Sequence, residues 1–452
     1  MHGATTVQEA TAIAAVGTPA DGTGPTPTAW SWLVAHARAR SWALVTMVAF
    51  VILSMAFTLL WGPVVQHESS WLLPSDVWLT FDSARFVSWG AIGDIYNPGY
   101  GLITLPGIAV LLAPVPLVTE HLHLTESTSQ FALSRPTAWL VLGPAVLLIG
   151  STCLLAFDAV AEELGVARRR RIAVLGLEVP VLFVVVTIWG HPEDMVALGC
   201  ALYALLAGRR GHWSRAGWLW GATLVFQPLA FLLFPLALAG VPAGQRMRVC
   251  LRAVLPTVVL LTPCLLSQWS MTTSALIHQR SAAGLDHPTP WTALSPKYAG
   301  DEVGGGTGRV LAVLVACGLG VVAWRRRPSF VALLWLGAVA LSARCFFEAV
   351  MDPYFLGPPI AVMLVLAATR PRPWRLAATF AVGGLVGVAS FHQATEWMYW
   401  TPVVALLGLG LACTWPGRAA FGRPPDRRPQ NSSVPERERA GEPALSRGSG
   451  PA

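Results

Sequence analysis

The chain has 452 residues, of which 54% are hydrophobic and only 12% are charged, with a formal net charge of +7. A soluble globular chain carries about 25% charged residues, so this composition excludes an ordinary soluble protein. The positive charge comes almost wholly from arginine, because Lys297 is the only lysine. The arginines lie mostly in short loops and the tail, which indicates membrane topology rather than nucleic-acid binding.

Apolar runs of roughly 16–24 residues recur along the chain and predict an all-α polytopic membrane protein with about 12 transmembrane helices. We expect residues 1–40 to form a disordered cytoplasmic N-terminus, 41–415 the transmembrane domain, and 416–452 a disordered, basic cytoplasmic tail. The alternation of arginine-rich and acidic loops predicts that both termini lie on the cytoplasmic side of the membrane. The predicted spans lie at about 41–61, 137–160, 172–189, 195–208, 214–241 (two short helices broken at Gln227-Pro228), 250–268, 308–324, 329–343, 354–369, 376–391 and 398–415.

The apolar run at 102–118 is the exception to this alternation. If it crossed the membrane, the Arg168–Arg171 cluster would lie outside, against the positive-inside rule. The run contains three prolines, which suit a short, broken, interfacial piece. We therefore interpret residues 62–136 as one long first extracytoplasmic loop with juxtamembrane helices.

This loop carries the first candidate site, in the aromatic-rich stretch from Ser75 to Pro106. Asp76, Asp82 and Arg85 lie just past the first span, where carboxylates and aromatics indicate a site at the water–lipid boundary. A carboxylate near lipid can act as a general base because desolvation raises its pKa. The alternative is a solvated interfacial loop whose Trp and Tyr side chains anchor at the headgroups. A helix would place Asp76 and Asp82 on different faces.

A second acidic cluster, His191-Pro-Glu193-Asp194, lies at a span boundary. Pro192 in the first turn and two acidic residues beside it are typical of a helix N-terminus, which is the structural interpretation. The functional interpretation is a cluster that faces the same outer cavity and either orients a sugar or holds a divalent ion. It has no metal-ligand spacing, so we expect no cofactor, and nothing in the sequence indicates a divalent cation.

Two outer segments supply further candidates for binding a lipid phosphate. The loop at 269–307 contains His278 and Arg280. The end of the ninth span contains Arg344, Glu348 and Tyr354, and an arginine at the outer interface suits an anionic lipid donor. The alternatives are a polar loop in the first case and an i, i+4 ion pair in the second.

Taken together, these segments resemble the GT-C superfamily of integral membrane glycosyltransferases, and are most similar to the actinobacterial polyprenyl-phosphate-mannose-dependent mannosyltransferases. The resemblance covers roughly 41–370. The chain departs from the family at two places. At 191–194 the family usually has Gly-Gln and an Asn, and at Gln227, before the proline, it usually has a Lys. The matching residues are Asp76 through Phe81 to Arg85, Gly90, Ile95-Tyr96-Asn-Pro98, Leu105-Pro106, Gly190-His191, Gly208-Arg209, Ala216–Gly221, Pro228 and Arg344…Tyr354.

The resemblance implies an inverting transfer of a sugar, mannose above all, from a polyprenyl-phosphate donor to an extracytoplasmic glycan or lipid acceptor. Asp76 would be the general base, and Arg344, with Arg280 or His278, would stabilise the departing phosphate. Two rival interpretations stay open. One is a transporter or lipid flippase, which acidic residues near mid-membrane would support. The other is a non-catalytic scaffold of the same fold.

Overall fold

The structure is a computed structural model that describes residues 29–66, 70–97, 102, 104–126, 135–279, 281–282, 287–298, 302–390 and 396–422. It is all-helical apart from one two-stranded antiparallel pair, β1 (Ser281–Ala282) and β2 (Glu302–Val303). The helices are α1 Ala29–Ala39, α2 Ser41–Leu60, α3 Ser75–Ser88, α4 Gly107–Leu112, α5 Pro114–His121, α6 Trp139–Ser151, α7 Cys153–Glu163, α8 Arg168–Leu182, α9 Pro192–Arg209, α10 Trp213–Phe226, α11 Phe234–Gly240, α12 Ala243–Ser267, α13 Trp269–His278, α14 Gly306–Arg326, α15 Phe330–Phe347, α16 Gly357–Ala368, α17 Pro373–Ser390 and α18 Glu396–Thr414.

Six helical segments of the described chain are long and apolar enough to cross a membrane. The prediction of an all-α membrane protein is therefore confirmed at this level, whereas the count of twelve spans stays a prediction. The six are Ser41–Leu60, Trp139–Glu163, Arg168–Ile188, Ala243–Ser267, Gly306–Arg326 and Phe330–Phe347. Shorter apolar helices are Gly107–His121, Pro228–Gly240, Pro353–Ala368 and Met398–Thr414.

The predicted break in the apolar region 214–241 falls where the sequence places it. Gln227 is extended (φ −156°, ψ 120°), because the residue before a proline is disfavoured in the α region. The chain then resumes as the 3₁₀ turn Pro228–Leu233 and α11. The break turns the Gln227 side chain toward the candidate site described below.

The segment 62–136 contains the short helices α3, α4 and α5, and its apolar part is broken between Leu112 and Pro114. Helix α4 is packed inside the protein: Ile108 and Leu112 are fully buried, and a Cβ on Gly107 would lie 2.4 Å from the Val225 side chain. The depth of this segment in a membrane stays a prediction.

The terminal boundaries need correction. Residues 29–39, predicted within a disordered terminus, form α1, and residues 416–422 include the 3₁₀ turn Arg418–Phe421. Tertiary contacts explain both: His36 hydrogen-bonds the Tyr203 hydroxyl at 3.0 Å, and Phe421 stacks on Trp415 with ring centroids 5.0 Å apart. Residues 1–28 and 423–452 lie outside the described part of the chain.

Antiparallel helices give the bundle two distinct ends. Helices α8 and α15 run toward one end, which we call the site end because it holds His191 and Arg344, and α9 and α14 return to the other. That other end, the arginine end, holds a buried ion cluster: Arg40 donates to Asp158 at 2.6 Å, and Arg171 lies 3.0 Å from Glu162.

At the site end, helices α14 and α15 touch so closely that only glycine fits between them. A Cβ on Gly308 would lie 1.7 Å from the carbonyl oxygen of Phe347. Two loop residues bond to the chain just after this contact. The Thr292 hydroxyl donates to the Ala349 carbonyl at 2.6 Å, and the Thr289 backbone N–H donates to the same carbonyl at 3.0 Å.

Candidate functional site

The site begins where α3 and the start of α9 meet. Gly190 adopts φ +75°, and a Cβ there would lie 2.7 Å from Val77 and 2.9 Å from Pro74. Glycine thus permits both the turn and the close approach of α3. Pro192 then opens α9 with Glu193 in its first turn, as the N-terminal signature predicts.

His191 connects two carboxylates that are distant in sequence. Its Nε2 lies 3.0 Å from Asp76 Oδ2, and its Nδ1 lies 2.8 Å from Glu193 Oε1. The Tyr354 ring stacks on the imidazole with centroids 3.7 Å apart and planes 18° from parallel. His191 and Glu193 are buried, but the Asp76 side chain is 36% exposed. His191 therefore orients Asp76 from the protein interior, while part of the Asp76 side chain stays accessible at the surface.

The geometry favours a charged His191. An ionised carboxylate only accepts hydrogen bonds, so both ring nitrogens must carry protons to serve both partners. Burial alone would lower the pKa of His191, but the Glu193 and Asp76 carboxylates outweigh it and raise that pKa well above 6.5. The result is an imidazolium between two carboxylates, which we call the Asp76–His191–Glu193 triad.

The triad predicts a pH dependence of stability. Because the pKa of His191 is raised in the folded state, its stabilisation is complete below about pH 6.5 and is lost as the pH rises toward the folded pKa. The loss is at most about 1.4 kcal/mol per pH unit. We expect the thermal midpoint of the wild type in detergent to fall between pH 6.5 and 9 more steeply than that of His191→Gln. Parallel curves for the two proteins would contradict the charged imidazole.

A second charged group lies beside the triad. Arg344 pairs with Glu348, as the i, i+4 spacing predicts, and Arg309 Nε lies 3.2 Å from the same carboxylate. Arg309 also donates to the Gln279 amide oxygen. Two guanidinium groups therefore share one buried carboxylate, and their remaining N–H donors can bind an anion.

A cavity of about 230 Å³ joins these groups. Asp76 and Glu193 do not line it but reach it through His191, which does. Asp194, in the same first turn of α9, is buried, and its polar neighbours are Glu193, His191, Gln227 and Arg344. The polar lining residues are Thr104, His191, Gln227, Gln279, Arg309, Arg344 and Tyr354, and apolar residues such as Leu276 and Val313 complete the wall.

Two other predicted site residues lie apart from this cavity. Asp82 and Arg85 interact with each other, and Arg85 also interacts with other acidic residues. Arg85 contacts Glu126, lies 3.5 Å from Glu120 and lies 3.9 Å from Asp82. Asp76 and Asp82 thus have separate surroundings on α3, as the helical spacing predicts. The side chain of His278 and all of Arg280 lie outside the described part of the chain, so their roles stay predictions.

Two notable residues were missed by the sequence reasoning. Arg309 follows a glycine-rich connector, and its only signal was a lone charge at the start of an apolar run. Glu178 lies midway along the span Arg168–Ile188; it is fully buried, and both carboxylate oxygens lack a hydrogen-bond partner in the described chain. Its signal was an isolated acid inside an apolar segment.

The described residues contain no group of three or more His, Cys, Asp or Glu side chains placed to hold a metal ion. The fold and site together define a helical membrane protein in which a buried histidine holds two carboxylates, one of them partly exposed, beside a cavity lined by two arginines. No family model, no curated protein and no solved structure matches the chain.

Proposed function

We propose that the chain is an integral membrane glycosyltransferase. It would move a sugar, in the first instance mannose, from a polyprenyl-phosphate donor to an extracytoplasmic glycan or lipid acceptor. The observation that carries the proposal is the partly exposed Asp76 carboxylate, held by buried His191 beside a cavity that contains two arginines. A base next to a cavity that contains a phosphate-binding pair supplies the two elements that this transfer needs.

Each residue has a defined role in the proposed reaction. Asp76 removes the proton from an acceptor hydroxyl, whose oxygen attacks the anomeric carbon from the face opposite the phosphate. The new C–O glycosidic bond forms as the bond from the anomeric carbon to the phosphate oxygen breaks, which inverts the configuration. Arg344 and Arg309 stabilise the negative charge on the departing polyprenyl phosphate.

His191 and Glu193 serve as positioning residues in this proposal. The imidazolium fixes one oxygen of Asp76, while Glu193 fixes the imidazole. Tyr354, stacked on the ring, restricts its rotation. A general base held in one orientation avoids reorganisation during the reaction.

The direct test supplies membranes containing the full chain with radiolabelled polyprenyl-phosphate mannose and, separately, with a nucleotide-linked mannose. We expect label to enter the acceptor fraction only from the lipid-linked donor, and the product to be the anomer inverted relative to it. Transfer from the nucleotide-linked donor alone would contradict the proposed donor. If neither donor works, the same assay with other polyprenyl-phosphate sugars decides between another sugar and no transferase.

Glu178 supports a second candidate function, a transporter or flippase. Transporters place ionisable groups near the bilayer midplane, and Glu178 is a mid-span carboxylate buried among apolar residues. In that case Glu178→Gln would abolish substrate movement across proteoliposomes, and Asp76→Asn would leave it intact. Loss of sugar transfer in Asp76→Asn with normal transfer in Glu178→Gln favours the transferase.

A further inference from the structure

Two adjoining cavities at the arginine end are unrelated to the proposed transfer site. They have volumes of about 310 and 490 Å³ and lie between the ends of α9, α11, α12, α14 and α15. Both are lined by Gly240, Val241, Pro328 and Leu333, so they meet along a shared wall. Helix α14 runs from Arg309 at the site end to this region. Its 18 residues between Arg309 and Arg327 correspond to a rise of about 27 Å.

Three arginines surround the cavities. Arg209 lines the smaller one, where it bonds Glu163 at 2.8 Å and lies 4.8 Å over the Phe330 ring. Arg246 and Arg327 line the larger one and form no ion pair with a carboxylate in the described part of the chain. Arg246 Nε donates only to a backbone carbonyl, at 3.1 Å. Their charge is thus available to an anionic group.

The surface next to Arg246 is apolar and faces outward. Met247, Leu251 and Val258 lie on one face of α12 and are 69%, 62% and 51% exposed. Trp324, which lines the larger cavity, is 54% exposed. In a membrane span this face contacts acyl chains, and a tryptophan near the end of a neighbouring helix, such as Trp324 in α14, belongs at the headgroup level. The two cationic side chains therefore lie where a lipid tail meets its headgroup.

We propose that this surface binds an anionic phospholipid, with the phosphate between Arg246 and Arg327 and one acyl chain along the outer face of α12. Arginine binds phosphate oxygens through paired N–H donors. Basic pockets between transmembrane helices are suited to anionic headgroups. A soluble phosphate would use the same two arginines but would gain nothing from the apolar face of α12, so the lipid is the occupant that uses both features.

The test is native mass spectrometry of the full detergent-purified chain, titrated with phosphatidylglycerol, with phosphatidylcholine of the same acyl chains, and with glycerol phosphate. We expect binding of phosphatidylglycerol in preference to both other ligands. The double variant Arg246→Gln/Arg327→Gln should lower the affinity for phosphatidylglycerol roughly 10- to 30-fold, from two headgroup contacts. The matched control is Arg248→Gln/Arg325→Gln, which removes two neighbouring exposed arginines that do not line the cavities.

Each outcome decides the proposal. A selective loss in the first double variant supports it, provided that the thermal midpoint is unchanged. Equal losses in both variants would show a diffuse charge effect and overturn it. Binding of phosphatidylcholine as tightly as phosphatidylglycerol, or of glycerol phosphate as tightly as either, would overturn it as well. None of these readouts depends on sugar transfer, so the result is independent of the proposed function.

Discussion

Replacing Asp76 by asparagine is expected to lower sugar transfer by roughly 10²- to 10⁴-fold, the usual contribution of a general base. Asparagine has nearly the same shape, and its amide oxygen can still accept a hydrogen bond from His191 Nε2, but it does not take up the acceptor proton. The measurement is transfer from radiolabelled polyprenyl-phosphate sugar by membranes that contain equal amounts of each protein.

Asp94→Asn is the matched control for this variant. Asp94 belongs to the same segment between α2 and α6, but it accepts a hydrogen bond from Gln268 at 2.9 Å, away from the triad. We expect the control to keep transfer close to the wild-type rate. Transfer by Asp76→Asn within a few fold of wild type would remove Asp76 from the mechanism.

Replacing Glu348 by glutamine is expected to lower the free energy of unfolding by about 3 kcal/mol, because the largely buried Arg344 and the partly buried Arg309 lose their shared carboxylate. Arg344 and Arg309 both pair with Glu348, whose side chain is only 3% exposed. The triple variant Arg309→Met/Arg344→Met/Glu348→Met should recover much of this loss, since a buried ion cluster can be exchanged as a whole for apolar side chains at little cost. Denaturant unfolding in mild detergent measures both.

The control for this second prediction is Glu163→Gln at the arginine end. Glu163 also pairs with two arginines, Arg209 and Arg210, but their side chains are 43% and 54% exposed. Water screens such pairs, so the expected loss is about 1 kcal/mol or less. Equal losses for Glu348→Gln and Glu163→Gln would contradict the buried cluster.

The helices were largely predictable from the chain because apolar runs and their terminating residues act locally. Pro192 with two following acids marks the start of α9, and Pro228 ends the helical run before it. The α1 helix was not predictable in the same way, because residues before the first span have a disordered-type composition. Its order depends on the contact between His36 and Tyr203, which are 167 residues apart.

The site was predictable only in its parts. Asp76, His191, Glu193, Arg344 and Tyr354 were each candidates, but local spacing cannot show that residues 115 apart share a hydrogen bond. The same limit explains Arg309, whose partners Gln279 and Glu348 come from two other elements. Asp82 and Arg85 were close to Asp76 in sequence, yet the turn of α3 directs Arg85 to Glu120 and Glu126, and Asp82 lies near Arg85 rather than near the triad.

The close contact of Gly308 with Phe347 has a mechanical consequence. Helices α14 and α15 are in direct backbone contact at the site end, where there is no room for even a methyl group between them. Packed helices move by small sliding or by rigid rotation rather than by continuous deformation. Movement of the two helices together would preserve this contact beside Arg309 and Arg344. Widening the cavity by separating these two helices would first require the Gly308 backbone to break that contact.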